Sequence, residues 1–504
     1  MHLARSKRST LGAAALIILA ACTSGTNSSD ATTTASAPTT AAATTSSTAA
    51  ATTTVAPTTT APTAIAPPPV FTTTPCPADR PAELQCGTVQ VPVDRSKPAG
   101  ALMNVAVTIR PATTAADQPP VLTLTSAGTG MTYSTSADSA PTWADGRELI
   151  WVDRRGAGSS DGTLDCELVP FTTVLRAGGA GPDELAAVGA CVAKAAAAPI
   201  AFDALLDLDN VAADLARVRA ALGIKEWVVS TVRSGFDVGV RLLGADKSGV
   251  VSLVAADPMF AGGGQNSDSF AASWKAFLAD CATVPACANF GDLAGDLTTA
   301  LARVKGGVPT SVVDPLSGKP FVIHDYNLTG AVAFGLQGPV QLLPGVVAGL
   351  VDPAGDDAFA SLTLSVSDPT WTKNGAISFG LVCQDVGLIM GGTGGTDTEF
   401  DSSGTGSVCA GVKGVPKVVT PLVAPATDVP VLIGRGEYSF MSSTERLAAL
   451  VKPLSNALVV PIAHAGSVSS AGDCWQGIVS AFLAGPTAAL DTACAAAVPL
   501  PEFK

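Results

Sequence analysis

The chain has 504 residues, 47% of them hydrophobic and 14% charged, which is too apolar and too weakly charged for a disordered chain as a whole. A formal charge of −13 repels phosphate backbones and excludes nucleic acid as a partner class. Three histidines leave too few ligands for a multi-histidine metal centre and few candidates for a general base, so no metal and no cofactor is expected.

Residues 1–22 predict a lipoprotein export signal. Arg5, Lys7 and Arg8 form a basic start, and Leu11 to Ala20 form an apolar core too short to span a bilayer. The run closes on Leu19-Ala20-Ala21-Cys22, a lipobox-like end. It predicts lipidation of Cys22, export, and anchoring on the outer face of a bacterial cytoplasmic membrane. From residue 23 to 75 the composition collapses to Thr, Ala, Ser and Pro. Such a stretch cannot bury enough apolar surface to offset chain entropy, so it is expected to be an extended, solvated tether.

The folded part divides into 76–260, an insertion at 261–400, and a C-terminal part at 401–504. Two alternating runs, TVQVPV and LMNVAVTI, lie between Thr88 and Ile109 and predict a hairpin-like strand pair. Val121 to Thr125 is a short buried strand leading into a glycine-containing loop, and Glu148 to Asp153 is another strand. Leu208, Val211, Leu215, Val218 and Leu222 recur at steps of three and four, one face of a helix stopped by Gly223. Strands at Trp227–Ser230 and Val250–Ala256 flank a helix from Phe236 to Leu243. The alternation resumes with a strand at Val429–Ile433 and a helix through Val451, with Ser442 and Glu445 as its capping box. A strand at Asn456–Pro461 and a helix at Cys474–Leu483 complete it. This order predicts an α/β fold with a parallel sheet covered on both faces. Residues 261–400 lack that rhythm and read as an inserted, mainly helical cap.

Ten cysteines remain once Cys22 is set aside, and none form a Cys-x-x-Cys pair. Zinc ribbons and thioredoxin-type sites are therefore disfavoured, and structural disulfides in an oxidising compartment are expected. Pairing of sequence neighbours is the simplest scheme: Cys76–Cys86, Cys166–Cys191, Cys281–Cys287, Cys383–Cys409 and Cys474–Cys494.

Five stretches together resemble secreted α/β-hydrolases of the tripeptidyl-aminopeptidase type, with its TAP-like C-terminal region. They are CGTVQVPVDRSKP at 86–98, VDRRGAGSS at 152–160, DNVAADLARVRAALGI at 209–224, VAADP at 254–258 and AFLAGPTAALDTAC at 481–494. The resemblance implies a doubly wound, mostly parallel sheet, a cap over the site, and a catalytic triad in chain order Ser, Asp, His.

The catalytic positions depart from that pattern. The nucleophile belongs in G-x-S-x-G on a strained turn between strand and helix, but here the stretch reads Thr231-Val232-Arg233-Ser234-Gly235. Alignment of Gly235 and Gly239 puts Arg233 at the nucleophile position, and a guanidinium does not lose its proton in a protein and cannot attack a carbonyl. Ser234 is one residue late and Ser230 three residues early. The oxyanion loop is half-preserved, with Gly128 and Gly130 kept. Glu437, in Gly434-Arg435-Gly436-Glu437, is the candidate acid. His464 is the candidate base, although alignment on the following glycine puts Ala465 at the base position. Arg233 is expected either to pair with Glu437 or to clamp an anionic group such as a peptide C-terminal carboxylate. The expected role is that of an envelope lipoprotein with an inactivated hydrolase scaffold, binding a peptide, a small acyl compound or another envelope protein. The alternative is an active serine exopeptidase or esterase using Ser234 or Ser230 with His464 and Glu437.

Overall fold

The computed structural model describes residues 67–78, 80–114, 118–124, 142–144, 146–163, 182–262, 267–314, 318–338, 340–365 and 420–503. Eleven strands are present among them: β1 Phe71–Thr74, β2 Gln85–Pro92, β3 Leu102–Arg110, β4 Val121–Leu124, β5 Leu149–Val152, β6 Trp227–Val232, β7 Val250–Ala256, β8 Val308–Val313, β9 Pro320–Ile323, β10 Val431–Gly436 and β11 Ala457–Ile462. Nine of them form one sheet in the order β1-β2-β3-β5-β4-β6-β7-β10-β11. The first three pairings, β1 with β2, β2 with β3 and β3 with β5, are antiparallel. Every pairing from β5 to β11 is parallel.

Residue choice follows position in the sheet. β3 alternates buried and half-buried residues along its length, as an antiparallel strand with one wet face must. β6 and β7 lie in the parallel centre and are buried on both faces, which their runs WVVSTV and VVSLVAA permit. The expected helix after the long loop is Leu208–Ala221. Asp207 caps it by accepting from the Asp209 N–H, Leu208, Val211, Leu215 and Val218 are buried, and Gly223 ends it at φ 67°. The helix Gly235–Ala245 follows β6 and lies so close that a Cβ on Gly239 would stand 2.7 Å from Thr231 Cγ2.

Two expectations need correction. Phe71–Thr74 lies within the stretch read as tether, yet it forms the edge strand β1 on β2. Its threonines are β-branched and suited to a strand, and Phe71 packs over the bare Cα of Gly87. The cap of the helix Thr444–Val451 is Ser443, whose hydroxyl accepts from the Arg446 N–H, and not Ser442.

The segment after β7 is mainly helical, as expected. Its described helices are Ser267–Cys281, Pro285–Ala288, Leu293–Val304, Asp325–Gln337, Leu343–Val351 and Asp356–Ser365, with β8 and β9 as a small antiparallel pair. They enclose a hydrophobic cluster separate from the main core, around Phe270, Trp274, Phe277, Leu328 and Leu336. Tyr438 and Phe503 enter this cluster, each with its ring 5.9 Å from Phe277. The insertion is thereby docked on the loop that follows β10. Among the described residues no helix is long and apolar enough to cross a membrane.

Candidate functional site

The parallel strands β6, β7, β10 and β11 end side by side. The three non-glycine residues with positive φ among the described residues all sit at this edge: Arg233 (51°), Asp257 (49°) and His464 (53°). Each stands one or two residues beyond a strand, and each costs about 1 kcal/mol or more of backbone strain. Such outliers gather where a fold holds a side chain for use rather than for packing.

Arg233 is the turn residue between β6 and the helix Gly235–Ala245. Its N–H donates to the Ala256 carbonyl at 3.0 Å, and its own carbonyl accepts from Phe236 and Met259 N–H at 3.0 and 3.2 Å. The main chain of the strained strand-to-helix turn is therefore intact, and an arginine occupies its apex. Burial pulls the guanidinium below its ordinary pKa, and the charge of Asp257 acts against this.

Register explains why Asp257 is the facing acid. Val232 pairs with Ala256, and Ala256 pairs with Gly434. One residue further on, Arg233, Asp257 and Arg435 form a row across three adjacent strands. Asp257 is buried and accepts from Ser467 Oγ at 2.6 Å and from the N–H groups of Gly436 and Val468 at 3.2–3.3 Å. Burial pushes its carboxyl up, while those donors and Arg233 pull it back. Arg435 gives Nη2 to the carbonyls of Ser439 and Ser442.

The expected Arg233–Glu437 pair is not formed. Among the described residues no ion pair joins the two, because β7 lies between β6 and β10 and puts Asp257 in the intervening place. Glu437 is exposed and accepts the His464 main-chain N–H at 2.9 Å.

His464 does meet Glu437, with Nδ1 3.9 Å from Oε2, but its closer partner was not foreseen. Nδ1 lies 2.6 Å from Oδ2 of Asp280, on the insertion helix Ser267–Cys281. Tyr438, fully buried, donates its hydroxyl to the same oxygen, and burial followed by that bond raises its pKa. Ala465 is buried beneath, its carbonyl accepting from Tyr438 N–H. Among the described residues no serine, threonine or cysteine side chain lies within hydrogen-bond distance of His464. Asp280, Glu437 and His464 bring three possible ligand atoms within 4.8 Å of one another. The hydrogen bonds from Tyr438 and His464 already account for Asp280.

The two alternative serines are enclosed. Ser230 lies inside β6 and Ser234 is only 2% exposed at the start of the helix. Gly128 and Gly130 of the oxyanion loop lie outside the described residues, as do Cys22, Cys166, Cys383 and Cys409. Three expected disulfides are present, Cys76–Cys86, Cys281–Cys287 and Cys474–Cys494, and Cys191 is disulfide-bonded.

No family model and no curated protein matches the chain. Among solved structures it is similar to a proline iminopeptidase from Mycobacterium smegmatis (17% identity, TM-score 0.39, covering 79% of this chain and 97% of that one). It is also similar to a hydrolase from Pseudomonas aeruginosa (14%, 0.35, 76% and 94%) and an esterase from a Rhodococcus species (16%, 0.33, 76% and 95%). Fold identity rests on the sheet itself and not on these distant likenesses. An antiparallel leading pair, a crossed β5-β4 order, then parallel strands with a helical insertion before the last two, and a strained turn after β6, together make this an α/β-hydrolase fold.

Proposed function

We propose that this chain is an exported, lipid-anchored member of the tripeptidyl-aminopeptidase-type branch of α/β-hydrolases that no longer performs acyl transfer and instead binds a ligand beneath its inserted segment. The observation carrying this reading is Arg233 at the apex of the nucleophile turn, with the turn's positive φ retained. Acyl transfer by the serine-hydrolase route needs a hydroxyl or thiol there, with an imidazole in reach to take its proton. The turn instead holds a permanent cation, and the imidazole of His464 is engaged by Asp280. Loss of nucleophile or base alone removes about six orders of magnitude in rate in serine proteases, which leaves binding as the use of the retained site.

Ligands of this reading are a peptide, a small acyl compound or another envelope protein. Its test is turnover of aminoacyl and ester reporter substrates by the purified chain, with Ser234→Ala and Ser230→Ala beside it. The expected result is no release above a heat-treated control in any of the three. Turnover abolished by either serine variant would establish the serine-hydrolase alternative.

A further inference from the structure

We infer that Arg233 is the anchor of a monoanion site that takes the carboxylate of a free acid or of a peptide C-terminus, an inference that rests on the binding reading above. Other arginines among the described residues are held by the protein itself, although Nε of Arg95, Arg154 and Arg435 has no hydrogen-bond partner. Arg95, Arg154, Arg155, Arg241, Arg303 and Arg435 each donate to a carboxylate or a main-chain carbonyl. Arg233 is half-buried, and among the described residues no side-chain hydrogen bond or ion pair joins it to a partner. The residue is not fully enclosed, and part of it meets accessible space.

Its nearest acid does not fill that need. Asp257 already takes three donors, from Ser467, Gly436 and Val468, and it faces Arg233 through charge alone. The guanidinium also stands at the N-terminal end of the 11-residue helix Gly235–Ala245, where the peptide dipoles add further positive potential. A cation held at the positive end of a helix, with empty donors, is completed by an anion from outside. The charge of that anion is limited by Asp257, which repels a second negative charge, so a carboxylate fits better than a dianionic phosphate. The planar guanidinium fork matches a carboxylate with two parallel hydrogen bonds.

Isothermal titration of the full chain in detergent tests this with two matched pairs: N-acetyl-trialanine against its C-terminal amide, and hexanoate against hexanamide. At least one acid is expected to bind about 10- to 100-fold more tightly than its amide. That preference should vanish in Arg233→Met and persist in Arg110→Met. Preference within the peptide pair only identifies a peptide C-terminus, and within the hexanoate pair only a free acid. Equal binding of acid and amide, an unchanged preference in Arg233→Met, or no acid binding up to about 10 mM would each overturn the inference. Reporter turnover together with an intact acid preference would instead sink the non-catalytic reading and leave the carboxylate site standing.

Discussion

Two arginines, each just beyond the end of a central strand, divide the molecule's logic. Arg155 follows β5 and is 0% exposed. Its Nε and Nη2 meet the two oxygens of Asp214 at 2.6 and 2.7 Å, and its remaining donors reach the carbonyls of Pro92, Val93 and Ala204. One side chain thus fastens the end of β2, the loop after β5 and the helix Leu208–Ala221. Arg233 follows β6, is half-buried, and among the described residues has no such set. A buried cation is tolerated only when its donors are filled. Where the protein fills them itself, the residue is part of the framework. Where it leaves them empty on an accessible face, the residue is available to something else. Arg155 of the VDRRGAGSS stretch is therefore a structural clasp, whereas the arginine on the turn after β6 is the one we propose to meet a ligand.

Substitutions test that division. Arg155→Met strands Asp214 in the interior with only Arg95 for company, and is expected to cost about 3 kcal/mol or more in urea unfolding. Asp280→Ala unlatches the insertion from His464 and leaves the fully buried Tyr438 hydroxyl unpaired. A loss of about 1–3 kcal/mol is expected, with faster amide exchange in the helix Ser267–Cys281. Arg233→Met breaks no hydrogen bond and relieves a desolvated charge while taking away an attraction to Asp257, so stability should stay within about 1 kcal/mol of the parent. A drop as large as that of Arg155→Met would erase the contrast between the two sites.

The smallest effect concerns pH. Burial raises the folded-state pKa of Asp257, so the folded protein holds its proton more tightly than the unfolded chain. The associated stability is present below the unfolded value of about 3.8 and is lost as pH rises through the raised folded value. In paired unfolding curves the parent should gain on Asp257→Asn as pH falls from 7 towards 4. A difference that does not change with pH would mean that Asp257 titrates as a free carboxylate.

The central sheet was legible because its signals are local. Apolar runs mark both-face burial, so β7 falls on Val250–Ala256 as expected, and the spacing of Leu208 to Val218 gives the helix Leu208–Ala221. The turn after β6 has its positive φ at Arg233, and Gly239 packs closely against Thr231. What the residues around Arg233 and His464 touch was not legible. Arg233 faces Asp257 and not Glu437 because of the lateral order of strands, which no local pattern encodes. His464 meets an aspartate 184 positions away on the insertion, and nothing near Asp280 in the sequence marks it. Asp257 lies in the VAADP stretch, one residue beyond β7, and no local pattern marks it as a partner of the turns around it. Its service to Ser467 and Val468 depends on the turn after β11 folding back over it.

Intact-mass spectrometry of the full chain after exposure to a fluorophosphonate probe tests the central claim most directly. With a guanidinium at the apex of the turn and, among the described residues, no serine, threonine or cysteine side chain in reach of His464, the mass should remain that of the untreated protein. A stoichiometric phosphonyl adduct that maps to a serine and disappears on His464→Ala would contradict the account.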